Sequence, residues 1–128
     1  MVEEPLREDG FVLEVHGEVD IASSSQLRGR LRAAADAGAS RILVDLGDVT
    51  FIDSIAMAAI VGTQRRLPPN GRLALVAHHP YVLLVLEAVG LQHVVHVFPT
   101  RDEAEEDLDA RGRSGGAGPL ARGPLGLG

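Results

Sequence analysis

The sequence predicts an α/β fold: a single mixed, mostly parallel sheet of four to five strands with about four helices packed on it. Two observations carry this reading. Apolar runs of strand character alternate along the chain with stretches of helical periodicity, and Gly and Pro punctuation separates them. The intervening helices run to about 10 to 14 residues, which suits crossovers between parallel neighbours and helices lying on a sheet.

Phe11, Leu13, Val15 and Val19 lie on a broadly alternating run that reads as the first strand. Ser23-Ser24-Ser25 then supplies caps for a helix with Leu27, Leu31 and Ala34 on one face, which Gly38 ends. Arg41 to Leu46 reads as a buried strand and Gly47-Asp48 as a turn. A second helix runs from about Asp53 to Leu67 and stops at Pro68-Pro69-Asn70-Gly71. Arg72 to Ala77 is a third strand, Pro80 suits the first turn of a third helix ending near Gly90, and His93 to Phe98 is a fourth strand. Thr100 begins the last helix. Thr100 and Glu103 have capping-box spacing, and Asp102 and Glu103 suit the positive end of the helix dipole.

The chain has 128 residues, no Cys and no Trp, which excludes disulfide-stapled miniproteins and thiol chemistry. All twelve cations are Arg, a usage that reflects GC-rich coding and suggests a bacterial source. Residues 110–128 carry three Arg and no acid, leaving nine Arg against eighteen acids, a charge of −9, in residues 1–109. A domain this acidic is expected to repel nucleic acid and anionic membrane. No apolar run approaches the roughly 20 residues of a membrane-spanning helix, and Met1-Val-Glu-Glu lacks the basic start of a signal peptide, so the expected location is the cytoplasm. Seven of the fifteen Gly and two of the seven Pro fall in residues 112–128. A domain over residues 1–110 with a disordered Gly/Pro/Arg tail over 111–128 is therefore expected.

Asp53-Ser54 stands where a strand leads into a helix, and backbone N–H groups there are left unpaired. Two readings follow from the residues. Either one of the pair merely caps the helix, or Ser54 accepts a phosphoryl group, which free N–H groups and the dipole would hold.

The surrounding sequence bears on that choice. Gly17-Glu-Val-Asp20, then Ser23 and Leu27, then Asp45-Leu46 leading through Val49-Thr-Phe-Ile52 to Asp53-Ser54, then Gly90-Leu91, resembles the STAS domain of bacterial anti-sigma-factor antagonists over about residues 10–109. The resemblance implies a STAS-like fold and a partner-switching protein. Unphosphorylated, it would bind an anti-sigma factor that is also a serine kinase and so free a sigma factor; phosphorylation would end that binding, and a serine phosphatase would reset it. Ser54 matches the phospho-acceptor, Asp53 the acid before it, Asp20 the acid closing the Gly-Glu-x-Asp strand, and Ser23 the hydroxyl capping the first helix. The implied partner surface comprises Asp20, Ser23, Asp53, Ser54, Ile55 and Met57. The chain departs from the family at Ser54-Ile55-Ala56-Met57, where members often continue with a second hydroxyl and Gly.

Tyr81 to Leu86 is apolar around most of a helix, which implies either a buried helix or an exposed patch for a partner or weak self-association. His78-His79 ends a strand and His93-x-x-His96 falls on an expected strand, where positions three apart face opposite sides, so no metal site is expected. No cofactor is expected either. There is no Gly-x-Ser-x-Gly elbow and no phosphate loop, which disfavours an enzyme. The alternatives are a STAS module of another complex, such as one for lipid transport, working without phosphorylation, and a small hydrolase with Ser54 as nucleophile.

Overall fold

The computed structural model describes residues 1–6 and 9–114. Five strands, β1 (Val2–Leu6), β2 (Gly10–Val19), β3 (Arg41–Ile52), β4 (Arg72–Val76) and β5 (His96–Phe98), form one sheet in that spatial order. Only the β1–β2 pair is antiparallel; the other three pairs are parallel. The helices are α1 (Ile21–Asp36), α2 (Ser54–Arg66), α3 (Pro80–Ala88) and α4 (Arg101–Ser114), with a 3₁₀ turn at Leu91–His93. The mixed, mostly parallel α/β sheet with four helices is thus the observed architecture.

Each crossover from β2 to β5 adds a strand on the same side of the last, so right-handed connections put α1, α2 and α3 on one face of the sheet. Alternation along the strands follows from this. Leu13 and Val15, Ile42 and Val44, and Leu73 and Leu75 bury beneath Leu27, Leu31, Ile60, Val82 and Leu86. Val12, Leu43, Ala74 and Val76 face the other way and meet Ala104 and Leu108 of α4. Both faces of the central strands are covered, which explains their nearly continuous apolar sequence.

Several details differ from the sequence-based expectation. β1 was not anticipated, because Val2-Glu-Glu-Pro-Leu6 has no clean alternation and contains Pro5; at an edge both are tolerated, and β2 supplies the pairing. Arg101 helps hold it. Its guanidinium reaches Glu4 of β1 (2.6 Å), Glu14 of β2 (3.2 Å) and Glu105 of α4 (2.8 Å), and the Glu4 and Glu105 carboxylates push it further into its protonated form. The cap of α1 is Asp20, not the Ser23–Ser25 run, which lies inside the helix.

Gly47-Asp48 is not a turn: β3 runs through it, paired with β2 as far as Val19 opposite Ile52. Two register shifts, each with one more residue on β3, absorb the irregularity, and Gly17 enters the left-handed region there (φ 79°). β5 is shorter than expected, since His93 closes the 3₁₀ turn. This removes the strand-face reasoning applied to His93 and His96. At Thr100 half of the capping box forms: the Glu103 N–H donates to Thr100 Oγ1 (3.2 Å), while the Glu103 carboxylate lies near the Thr100 hydroxyl (3.3 Å). α4 continues to Ser114, past the boundary expected at residue 110; the remainder of the expected tail, residues 115–128, lies outside the described residues.

The α3 question has a divided answer. Val82 and Leu86 are buried, whereas Tyr81, Leu83 and Leu84 are exposed, Leu84 by 62%. Neither a wholly buried helix nor a wholly exposed patch describes it. We therefore expect Leu86→Ala to cost about 2–4 kcal/mol in urea unfolding and Leu84→Glu to stay within about 0.5 kcal/mol of the parent.

Candidate functional site

Parallel strands end at the same edge of a sheet, and the helices that follow begin there. The Val19–Ile52 pairing therefore sets the caps of α1 and α2, Asp20 and Asp53, next to one another in the fold. Each cap residue has extended backbone and a carboxylate turned into its own helix. Asp20 Oδ1 accepts from the Ser23 N–H (3.1 Å) and the Ser23 hydroxyl (3.2 Å). Asp53 Oδ1 accepts from the Ala56 N–H (2.9 Å). These bonds satisfy donors that helix starts otherwise leave unpaired.

The second oxygen of Asp53 does something different. Its Oδ2 accepts from the hydroxyl of Ser24 on α1 (3.1 Å), which also lies 3.1 Å from the Ile21 carbonyl. Ser24 is wholly buried, so the contact forms in a site shielded from water and joins the two helix starts directly. The sequence reading did not single out Ser24. A signal was present: Ser24 precedes Leu27, Leu31 and Ala34 on the same helical stripe, so it is the one hydroxyl of the serine run that must face inward.

Ser54 is the first residue of α2, directly after this fixed carboxylate, and it is exposed. Its hydroxyl makes no hydrogen bond to any described residue. Ile55 beside it is 39% exposed, but Met57 is only 6% exposed and packs in the core. The expectation that Met57 faces a partner is thereby corrected, since Met57 shares the buried stripe of α2 with Ala56, Ile60 and Thr63. Ser23 is half-buried and serves the α1 cap as a donor to Asp20 rather than as the cap itself.

The same edge carries apolar groups that the sequence reading did not assign to it. Ile21 opens α1, Phe51 stands at the end of β3, and Tyr81 stands in the first turn of α3. Phe51 and Tyr81 stack with ring centroids 6.1 Å apart and planes 12° apart, and both remain about two-fifths exposed. A cleft of about 440 Å³ opens beside Ser54, between Met57 and Val61 of α2 and Val89, Leu91 and Val94.

Two of the histidines are engaged elsewhere. His79 Nδ1 accepts from the Tyr81 N–H (3.2 Å) and caps α3, and His16 lies between Glu14 (3.3 Å) and Asp48 (3.0 Å). Among the described residues no group of three His, Cys, Asp or Glu side chains is arranged to hold a metal ion. No helix among them is long and apolar enough to cross a membrane.

The STAS domain profile matches residues 2–104. The chain belongs to the STAS domain family. It is 30% identical over 98 residues to a candidate anti-sigma factor antagonist, BtrV, of Bordetella bronchiseptica, covering 75% of this chain and 84% of that one. It is 34% identical over 101 residues to a candidate anti-anti-sigma factor, Rv2638, of Mycobacterium tuberculosis, covering 74% and 68%. Among solved structures, the unphosphorylated antagonist SpoIIAA superposes with a TM-score of 0.74 at 25% identity, over 85% of this chain and 96% of that one. The phosphorylated form of the Bacillus protein gives 0.65 at 25% identity, over 83% and 96%. The STAS fold expected from the sequence is therefore the fold of this protein, and its relatives are anti-sigma factor antagonists.

Two outcomes follow for the STAS edge. Asp53→Ala should cost about 1–2 kcal/mol in urea unfolding and Ser24→Ala about 0.5–1.5 kcal/mol, with the double variant falling short of their sum by about 0.5 kcal/mol or more. Separately, the Ser23 N–H and hydroxyl hold the Asp20 carboxyl below its ordinary value. Stability from a depressed carboxyl is present above the unfolded-state pKa and is lost as pH falls through the folded one. An NMR titration should therefore place the Asp20 midpoint below the ordinary aspartate range, and Ser23→Ala should move it upward.

Proposed function

We propose that this STAS protein is an anti-sigma-factor antagonist whose edge around Ser54 binds an anti-sigma factor with serine kinase activity, and that phosphorylation of Ser54 ends the binding. A serine phosphatase would restore the unmodified form, and the sigma factor would respond indirectly. One observation carries the reading: Ser54 is exposed and unbonded at the first position of α2, directly after a carboxylate already committed to Ala56 and Ser24.

Asp53 does the capping, so Ser54 is not needed for it. A hydroxyl free of structural duty at a helix start can be modified without taking the helix apart. A phosphate there meets the positive end of the α2 dipole, which tolerates it, and the Asp53 carboxylate, which repels it. The change thus falls on the surface. It places a tetrahedral group of about −1.5 to −2 charges among Ile55, Phe51 and the cleft beside α2. Desolvating that group against a partner is costly, and a loss of about 3 kcal/mol weakens binding by a factor on the order of 150. That SpoIIAA is described in phosphorylated and unphosphorylated forms supports the reading.

The hydrolase alternative lacks support, since a serine nucleophile needs a base within hydrogen-bond reach and the Ser54 hydroxyl has none among the described residues. A binding module that works without phosphorylation remains the second reading, favoured by the apolar edge itself.

The test pairs cell and solution measurements. Phosphosite mapping under growth and stress should show occupancy at Ser54 that changes with condition. Calorimetry with the cognate anti-sigma factor should give Ser54→Ala the parent affinity and phosphorylated protein or Ser54→Asp a much weaker one. Unchanged binding by the phosphorylated protein would remove the switch and leave the constitutive module.

A further inference from the structure

The face formed by α1 and α2 away from the sheet has a charge opposite to that of the domain. Five of the nine Arg in residues 1–109 lie on these two helices, at 28, 30, 32, 65 and 66, with Asp36 as their only acid. Arg30 pairs with Glu3 and Arg66 with Asp36. Arg28, Arg32 and Arg65 are exposed and make no ion pair with any described residue. In a chain with half again as many acids as cations, that leaves cationic charge uncompensated on one face.

Arg28 and Arg32, one helical turn apart on α1, flank a groove of about 300 Å³ between the two helices. Its floor is made of Ala58, Ala59 and Gly62 of α2, with Ile55 toward the Ser54 end. Gly62 is informative. A glycine inside a helix is destabilising relative to alanine, and a Cβ added here would meet no atom within 4 Å, so nothing in the protein's own packing requires it. A bare backbone at an open groove floor is where a second helix can approach closely.

We propose that the α1–α2 groove is a docking site for an acidic amphipathic helix of a protein partner. Its apolar side chains would rest on Ala58, Ala59, Gly62 and Ile55, and its carboxylates would meet Arg28 and Arg32. Charge complementarity selects this occupant: arginine forks match carboxylates bidentately, and the floor between Arg28, Arg32 and the Asp36-paired Arg66 is mostly apolar, Thr63 keeping its hydroxyl on the Ala59 carbonyl. The site does not require Ser54 to be a phosphorylation site. Failure of either reading leaves the other intact.

The test is an NMR titration of the full chain with a helical peptide of about four turns, Leu along one face and Glu beside it, against the same peptide with Lys for every Glu. The Glu peptide should shift the amides of Ala58, Ala59 and Gly62 saturably and bind at least about fivefold more tightly than the Lys peptide. Arg28→Glu/Arg32→Glu should reverse that preference. Gly62→Leu should abolish the shifts, while Gly62→Ala raises the thermal midpoint by about 2–6 °C, separating loss of docking from loss of fold. Equal binding of the two peptides, absence of saturable shifts, or shifts located elsewhere overturns the proposal. So does tighter binding of a short DNA duplex at these amides, which would assign the face to phosphate. Shifts that grow with the protein's own concentration and vanish in the Arg double variant would assign it to a second copy and overturn it too.

Discussion

The Asp53 carboxylate is the point on which the functional edge depends. One oxygen closes the start of α2 through Ala56 and the other takes the buried Ser24 hydroxyl of α1. Because both oxygens are engaged, the carboxylate has one position, and so does the first turn of α2. Remove it and two helices lose a shared fixture, while the residue next to it loses the geometry that leaves its hydroxyl outward. The interaction is short in sequence terms on one side and 29 residues long on the other. It exists because β2 and β3 are parallel and end together.

That parallel ending follows from the topology. A sheet whose strands are added one after another on the same side places every crossover helix on one face, so α1, α2 and α3 all begin at one edge. Ligand and partner surfaces of open α/β sheets gather at the carboxyl ends of the strands for this reason. The bulges between β2 and β3 matter here as well. They let β3 spend two extra residues without losing its partner, so that Ile52 still arrives opposite Val19. α4 lies on the other face with a dense run of acids, and the arginines of α1 and α2 lie on the first. The net charge of the domain therefore conceals two faces of opposite character.

Much of this was legible in the sequence because it was local. The alternation of buried strands with amphipathic helices, the stop at Pro68-Pro69, the proline opening α3 and the Asp53-Ser54 start of α2 each rest on near neighbours. What was not legible depends on distant ones. β1 is a strand only because β2 pairs with it and Arg101, 97 residues from Glu4, ties it down. Gly47-Asp48 reads as a turn from its residue types, yet pairing with β2 carries the strand through it. In Ser23-Ser24-Ser25 the composition suggests a cap, but Asp20 is the better acceptor and takes the position. The fold leaves Ser54 and Ile55 exposed at the start of α2 and turns Met57 inward, which helical phase decides.

The two proposed surfaces differ in what each asks of the partner. The edge around Ser54 is largely apolar and carries the fixed carboxylates of Asp20 and Asp53, with Arg65 lining the cleft beside Ser54. In the α1–α2 groove Arg66 pairs with Asp36, while Arg28 and Arg32 have no acid of their own among the described residues, so negative charge brought by a partner is welcome there. A partner that uses both would align along α2, with its apolar end over Ile55 and Phe51 and its acidic helix beside Arg28 and Arg32. A phosphate at Ser54 would then disrupt one end of the contact and leave the other intact. Release under that arrangement is graded by how much each surface contributes, and the uncharged, bare-backbone middle of α2 around Gly62 is what allows one partner to span them.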